Sequence, residues 1–344
     1  MRRWCAVVCG MVLLGSVGAS VAGAAGFPWN SYARRAEDWY RSDEAKRVAG
    51  NVLSQQSKLG DWPSNMDTGA QPFEGKTPRA RGTFDNGATR GEVRFLARAH
   101  KATGNEEYRA AALRGLDHIL KAQYSNGGWP QSYPPGTKYP RHITFNDWMT
   151  VGLMELMREV GQSADFSFVD AERRARARDA FDRGVQCILK CQIVVNGELT
   201  AWCQQHDEVT FEPRPARTFE PVAICAGESV GMVELLMSLD KPSAEVIRAV
   251  DAACRWFERV KITGIRQETR DGDKVVVKDP NASPLWARMY EIGTNRPIFC
   301  GRDGVVKYSL AEIELERRIH YAWYGEWPRS ALAKWPQWRE KHTR

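Results

Sequence analysis

The chain has 344 residues, 43% hydrophobic and 26% charged, a globular composition that excludes disordered and fibrous classes. A net charge of +7 favours polyanionic partners: nucleic acid, an anionic membrane or an acidic polysaccharide. No Lys/Arg block longer than a few residues is present, which argues against a nucleic-acid arm.

At the start, Arg2 and Arg3 precede an apolar, small-residue run from Ala6 to Ala22, and Ala22-Gly23-Ala24 fits an A-x-A cleavage site. Residues 1–24 are expected to be the signal peptide of a secreted or periplasmic protein, followed by one domain over 25–344. The run is short and holds Gly and Ser, which disfavours a membrane anchor, and no second run of spanning length follows. Six cysteines remain after the leader: Cys187, Cys191, Cys203, Cys225, Cys254 and Cys300. Buried free thiols are the default for a chain this size, although export leaves disulfides open. No Cys-x-x-Cys or paired histidine accompanies Cys187 and Cys191, so a structural zinc is disfavoured.

Apolar spacing predicts helices over 32–56, 92–102, 106–122, 147–160, 170–189, 226–238, 243–260 and 308–321. Arg266 to Val277, centred on Asp271-Gly272, predicts a hairpin. The Trp/Pro-rich tail is expected to wrap the surface. A phrase repeats among these helices. Val52-Leu53-Ser54-Gln55-Gln56 leads to Gly60-Asp61-Trp62-Pro63, and Ile119 to Gln123 leads to Gly127-Gly128-Trp129-Pro130. Ile188 to Gln192 leads to Asn196-Gly197 and Trp202, the three copies beginning 67 and 69 residues apart. Helix pairs repeating in this way stack as a solenoid or close into an α/α barrel. The Trp loops would then share one face, where the rings either line a cleft or plug helix ends.

Polar clusters lie between the repeats. Thr83-Phe84-Asp85-Asn86-Gly87-Ala88-Thr89 and His142-Ile143-Thr144-Phe145-Asn146-Asp147 both precede helices, Asp85 and Asp147 lying 62 residues apart. Either is a helix cap, or the pair offers oxygen ligands to a hard cation such as calcium. His206, beside Asp207 and Glu208, is acid–base material. No Gly-x-Ser-x-Gly or His-Glu-x-x-His accompanies it. Arg214 and Arg217 follow in the extended stretch PRPARTFE. The turn-rich segment Trp286 to Gly304 carries Arg288, Arg296 and Arg302 among large apolar residues, a pattern suited to gripping carboxylates or phosphates.

Assembled in order, GTFDNGATRGEVRFLARAH, GGWPQSYP, RHITFND, VNGELTAWCQQHDEVT, PARTFE and WARMYEIGTNRPIFCGRDGVVKYSL resemble the pectate lyases of polysaccharide lyase family 10. The resemblance covers about Val52 to Tyr324. It implies a mainly all-α short α/α barrel, or toroid, of repeated helix pairs with a minor β-hairpin, acting as a monomer on polygalacturonate by calcium-dependent β-elimination. Carried over residue by residue, Asp85 and Asp147 would hold calcium with help from Asn86. Arg217 would be the base at C5, and Arg288, Arg302 and Asn146 would bind substrate. Trp148-Met149-Thr150 is bulkier than the family pattern beside the proposed cation ligand. Two other classes stay open. One is an inverting glycoside hydrolase using two of Asp85, Asp147, Asp207 and Glu208. The other is a non-catalytic anionic-glycan binder.

Overall fold

The computed structural model describes residues 26–75 and 82–342; the expected signal peptide lies outside them. In chain order the helices are α1 (Trp29–Tyr32), α2 (Asp43–Gln55), α3 (Arg90–Thr103), α4 (Glu106–Ala122), α5 (Met149–Gln162), α6 (Ala171–Cys191), α7 (Ala226–Met237), α8 (Ala244–Arg259), α9 (Leu315–His320) and α10 (Pro328–His342). Short polar side chains start them: Ser42, Asn105, Asp170 and Ser243 each accept a first-turn N–H, of α2, α4, α6 and α8 respectively. The fold is a mainly helical toroid. Helices α3, α5 and α7 pack side by side, and α4, α6 and α8 back them, each packed against the inner helix that precedes it in the chain.

The repeated phrase holds the layers together. Gln56 Nε2 donates to Gly60 O at 3.0 Å and to Ala111 O of α4 at 2.9 Å. Gln123 does the same to Gly127 O and to Ala180 O of α6, and Gln192 to Thr200 O and to Ala249 O of α8. Each glutamine thus ties its own loop to the next outer helix. The tryptophans are plugs: Trp62, Trp129 and Trp202 are fully buried and donate through Nε1 to Val52 O, Ile119 O and Ile188 O. They line no cleft. A fourth, degenerate copy is visible only in space, where Trp286 Nε1 donates to Phe257 O of α8 at 2.8 Å without an accompanying glutamine.

Two helix expectations are corrected. Residues 32–56 do not form one helix, because Ser42 is extended (φ −66°, ψ 159°) and caps a new one. Before it, a 3-10 turn over Glu37–Arg41 lets Trp39 and Tyr40 pack on Phe95 of α3. Toward the C-terminus, only a 3-10 turn at Leu310–Glu312 and the short α9 lie within 308–321. The tail instead forms α10, with Pro336 inside it, packed on α7 and α8 and anchored by Trp338 Nε1 donating to Met237 O. The hairpin is as expected, Ile265–Arg270 paired with Asp273–Lys278 through Asp271 and Gly272, both at positive φ. The six cysteines among the described residues are all buried and free. Among the described residues no helix is long and apolar enough to cross a membrane.

Candidate active site

The site grows from the starts of the inner helices. Asn86 (φ 49°, ψ 32°) and Asp147 (φ 50°, ψ 32°) share a left-handed backbone, so the two loops align as Thr83-Phe84-Asp85-Asn86 on Thr144-Phe145-Asn146-Asp147. Side-chain type pairs Asp85 with Asp147 in the sequence. The structure shifts that match by one residue, so that Asp85 corresponds to Asn146 and Asn86 to Asp147. Buried Phe84 and Phe145 pin both loops from below, their N–H groups donating to Gln131 O and Gln204 O. Gln131, Gln204 and Arg288 each lie two residues beyond a plug tryptophan. Arg288 O completes the set by accepting from Ala226 N at the start of α7.

These supports bring the candidate residues together. Burial raises Asp85 above the usual carboxylate range and Asp147 raises it further, while Arg217 acts in the opposite direction, placing all three within electrostatic reach. Arg288 lies 3.5 Å from Asp147 Oδ1 and donates to Asn146 Oδ1 at 3.2 Å and to buried Glu228. Burial works against the Arg288 charge, but Glu228 and then Tyr321 and Asp147 outweigh it and keep the guanidinium protonated. Arg217 lies in a tight turn closed by Glu220 N donating to Arg217 O at 2.7 Å. Its Nε and Nη2 both donate to the Glu220 carboxylate, which is 2% exposed while Arg217 itself is 45% exposed. Burial alone would lower the Arg217 pKa; the bond and charge of Glu220 raise it above the usual arginine value. Tyr321 joins the two halves: its OH donates to Glu220, Gln204 Nε2 donates to it, and Arg288 lies 4.6 Å above its ring.

Other candidate residues lie at the margin of this cluster or outside it. Arg302 is exposed on the rim, paired through two bonds with Glu316, and shares the Phe219 ring with Arg217 and Arg317. Arg296 stacks on Tyr308, 3.6 Å from its centroid, outside the cluster. Asn86 donates to Asn65 Oδ1 at 2.6 Å at the edge of the site. His206 is no general base. It is fully buried, with Nδ1 bonded to Phe211 O and Nε2 accepting from Cys203 N, and burial lowers its pKa to about 4. Asp207 accepts from Val209 N, Thr210 N and Arg214, which together hold it at about 2 despite some opposing burial. Glu208 pairs with Arg141 and His142. His142, Asp207 and Glu208 place ligand atoms within 4.8 Å of one another, but arginines and backbone already neutralise the group, so it serves to hold this loop. Of Asp85, Asp147, Asp207 and Glu208, only Asp85 and Asp147 neighbour Arg217 and Arg288.

Glu220, Glu228 and Tyr321 are the members that motif reading missed. The one usable signal was the second position after each plug tryptophan, and it points to Gln131, Gln204 and Arg288.

A helical toroid that sets Asp85 and Asp147 beside the largely buried Arg288 and the half-exposed Arg217 defines a class of enzyme that acts on anionic glycans. The pectic acid lyase family model matches residues 56–332, and the chain belongs to that family. It is similar to the family 10 polysaccharide lyase from Cellvibrio cellulosa: 31% identity, 94% of this chain and 99% of that one covered, TM-score 0.79. A mutant of that lyase in complex with trigalacturonic acid gives the same identity and TM-score over 90% of this chain and 97% of that one. No curated protein matches the chain. The chain is a polysaccharide lyase of family 10.

Proposed function

We propose that the protein is a secreted, monomeric pectate lyase that cleaves polygalacturonate by calcium-dependent β-elimination, with Arg217 as base. The observation that carries this reading is the convergence of Asp85, Asp147, Arg217 and Arg288 on one face. The donor set suits a hard cation: carboxylates of Asp85 and Asp147 with the Asn86 and Asn146 amides beside them, oxygen donors without a thiolate or imidazole. Bound there, calcium would neutralise the uronate carboxylate and so acidify the neighbouring C5–H.

The chain's own residues supply the rest. Arg288, held protonated, faces the same charge and stabilises it as it grows. Glu220 occupies Nε and Nη2 of Arg217, leaving Nη1 without a partner among the described residues and directed by the rigid fork. In its neutral form Arg217 takes the C5 proton. The C4–C5 double bond then forms as the C4–O4 bond breaks, and solvent water protonates the departing oxygen. The product is a 4,5-unsaturated oligogalacturonide. Because Glu220 favours the protonated arginine, activity rises toward alkaline pH.

Incubation with polygalacturonate, with and without a chelator, tests this. Growth of ultraviolet absorbance from unsaturated ends, abolished by chelator and restored by calcium, is expected. New reducing ends without absorbance would establish hydrolysis instead, and absence of both would leave a glycan binder.

A further inference from the structure

Trp148 departs from its counterpart in the first repeat. Gly87, at φ 84°, occupies the equivalent place, while Trp148 adopts φ 58°, ψ 28°, a left-handed conformation that its β-carbon disfavours. Its side chain is 39% exposed rather than buried in recompense. The indole lies on Gly231 of α7, where a β-carbon would be 3.1 Å from Cδ2, and the Trp327 indole lies over Gly227 one turn earlier. The ring is thus fixed from beneath, one residue after Asp147.

Beside it opens a cavity of about 460 Å³ lined by Asn86, Gly87, Arg90, Arg94, Trp148 and Glu155, among others. Arg94 spends its charge on Glu159. Arg90 instead donates to the Trp148 and Met149 carbonyls, at 3.2 and 3.0 Å, and forms no ion pair among the described residues. Burial, and then Arg94, bring its pKa down to about 10, although Glu155, Asp85 and Glu92 act in the opposite direction without pairing directly with it.

We propose that Trp148 and Arg90 form an additional uronate subsite contiguous with Asn86 and Asp147, the exposed indole face packing on the sugar ring and Arg90 pairing with its carboxylate. The apolar C–H face of a pyranose matches an indole, and an arginine without a carboxylate partner complements a polyuronate. The assignment rests on the pectate-lyase reading for the identity of the bound chain.

The test compares wild type with Trp148→Gly, which suits the left-handed backbone, and with Trp148→Phe and Arg90→Gln. Elimination kinetics on trigalacturonate and on long polygalacturonate are measured beside calorimetric binding of hexagalacturonate. For Trp148→Gly, KM on the long chain is expected to rise about tenfold with kcat little changed, and hexamer binding to weaken in step. Trp148→Phe restores most of the loss, and Arg90→Gln raises KM as Trp148→Gly does. Unchanged KM and hexamer affinity in Trp148→Gly would overturn the subsite, as would a loss confined to kcat. Unchanged affinity in Arg90→Gln would remove the carboxylate contact. If wild type performs no elimination, the lyase reading fails by itself, and calorimetry still decides the subsite.

Discussion

Glu220 holds Arg217 by both oxygens of its carboxylate while also accepting the Arg217 backbone N–H at 3.1 Å. One buried acid therefore sets both the orientation and the charge of the proposed base. In Glu220→Gln the fork loses its bidentate partner and kcat is expected to fall about 100-fold. The same change removes the charge that raises the Arg217 pKa, so the acid limb of the pH–rate profile moves to lower pH. A profile that stays in place or moves upward would contradict this role.

Glu92 of α3 is fully buried, with Thr68 Oγ1 donating to Oε1 and no partner on Oε2 among the described residues. Burial raises it to about 7 from an ordinary 4.5. Because the folded value lies above the unfolded one, its stabilising contribution is intact below pH 4.5 and is lost as pH rises through about 7. Glu92→Gln abolishes that titration. Relative to wild type it should gain about 3 kcal/mol between pH 4.5 and pH 9, read from urea unfolding at the two pH values. A difference that does not change with pH would contradict the assignment.

The glutamine ties predict a stability loss remote from the cleft. Gln123→Leu leaves Gly127 O and Ala180 O without their shared donor, and a cost of about 2 kcal/mol in denaturant unfolding is expected. A loss below about 0.5 kcal/mol would show that the tie is dispensable.

Cation binding has a readout independent of turnover. At calcium well above its Kd the wild-type melting temperature should rise by about 5 °C. Asp147→Asn should abolish that rise, because it removes a carboxylate from the donor pair. An equal calcium shift in the variant would place the ion elsewhere.

Much of the fold was legible because the repeat is written in residues whose roles are local. The glutamine and the tryptophan bond carbonyls four and ten residues away in the first two copies, and eight and fourteen away in the third, so the phrase survives with one longer loop. The fourth copy escaped notice because Trp286 keeps the plug while the glutamine is gone. The break at Ser42 was hidden by apolar residues that continue the helical spacing across it. In the site, Asp85, Asp147, Arg217 and Arg288 were marked by motif, and the structure gathers them. The loops differ by a swap of Asp and Asn, which side-chain matching alone set one residue out of register. Glu228 and Tyr321 were not legible, since their partners lie across the fold: Tyr321 reaches Glu220 over 101 positions and Arg288 reaches Glu228 over 60. Glu220 stood in the stretch PRPARTFE only three residues after Arg217, but nothing in that stretch marked it as the buried partner of the arginine.

The most direct measurement is on Arg217→Lys, with elimination from polygalacturonate and binding of trigalacturonate recorded on the same preparation. Lysine keeps a cation but loses the fork that Glu220 orients. Turnover should vanish while binding stays within about threefold of wild type. Elimination at a rate near wild type would show that Arg217 is not the base.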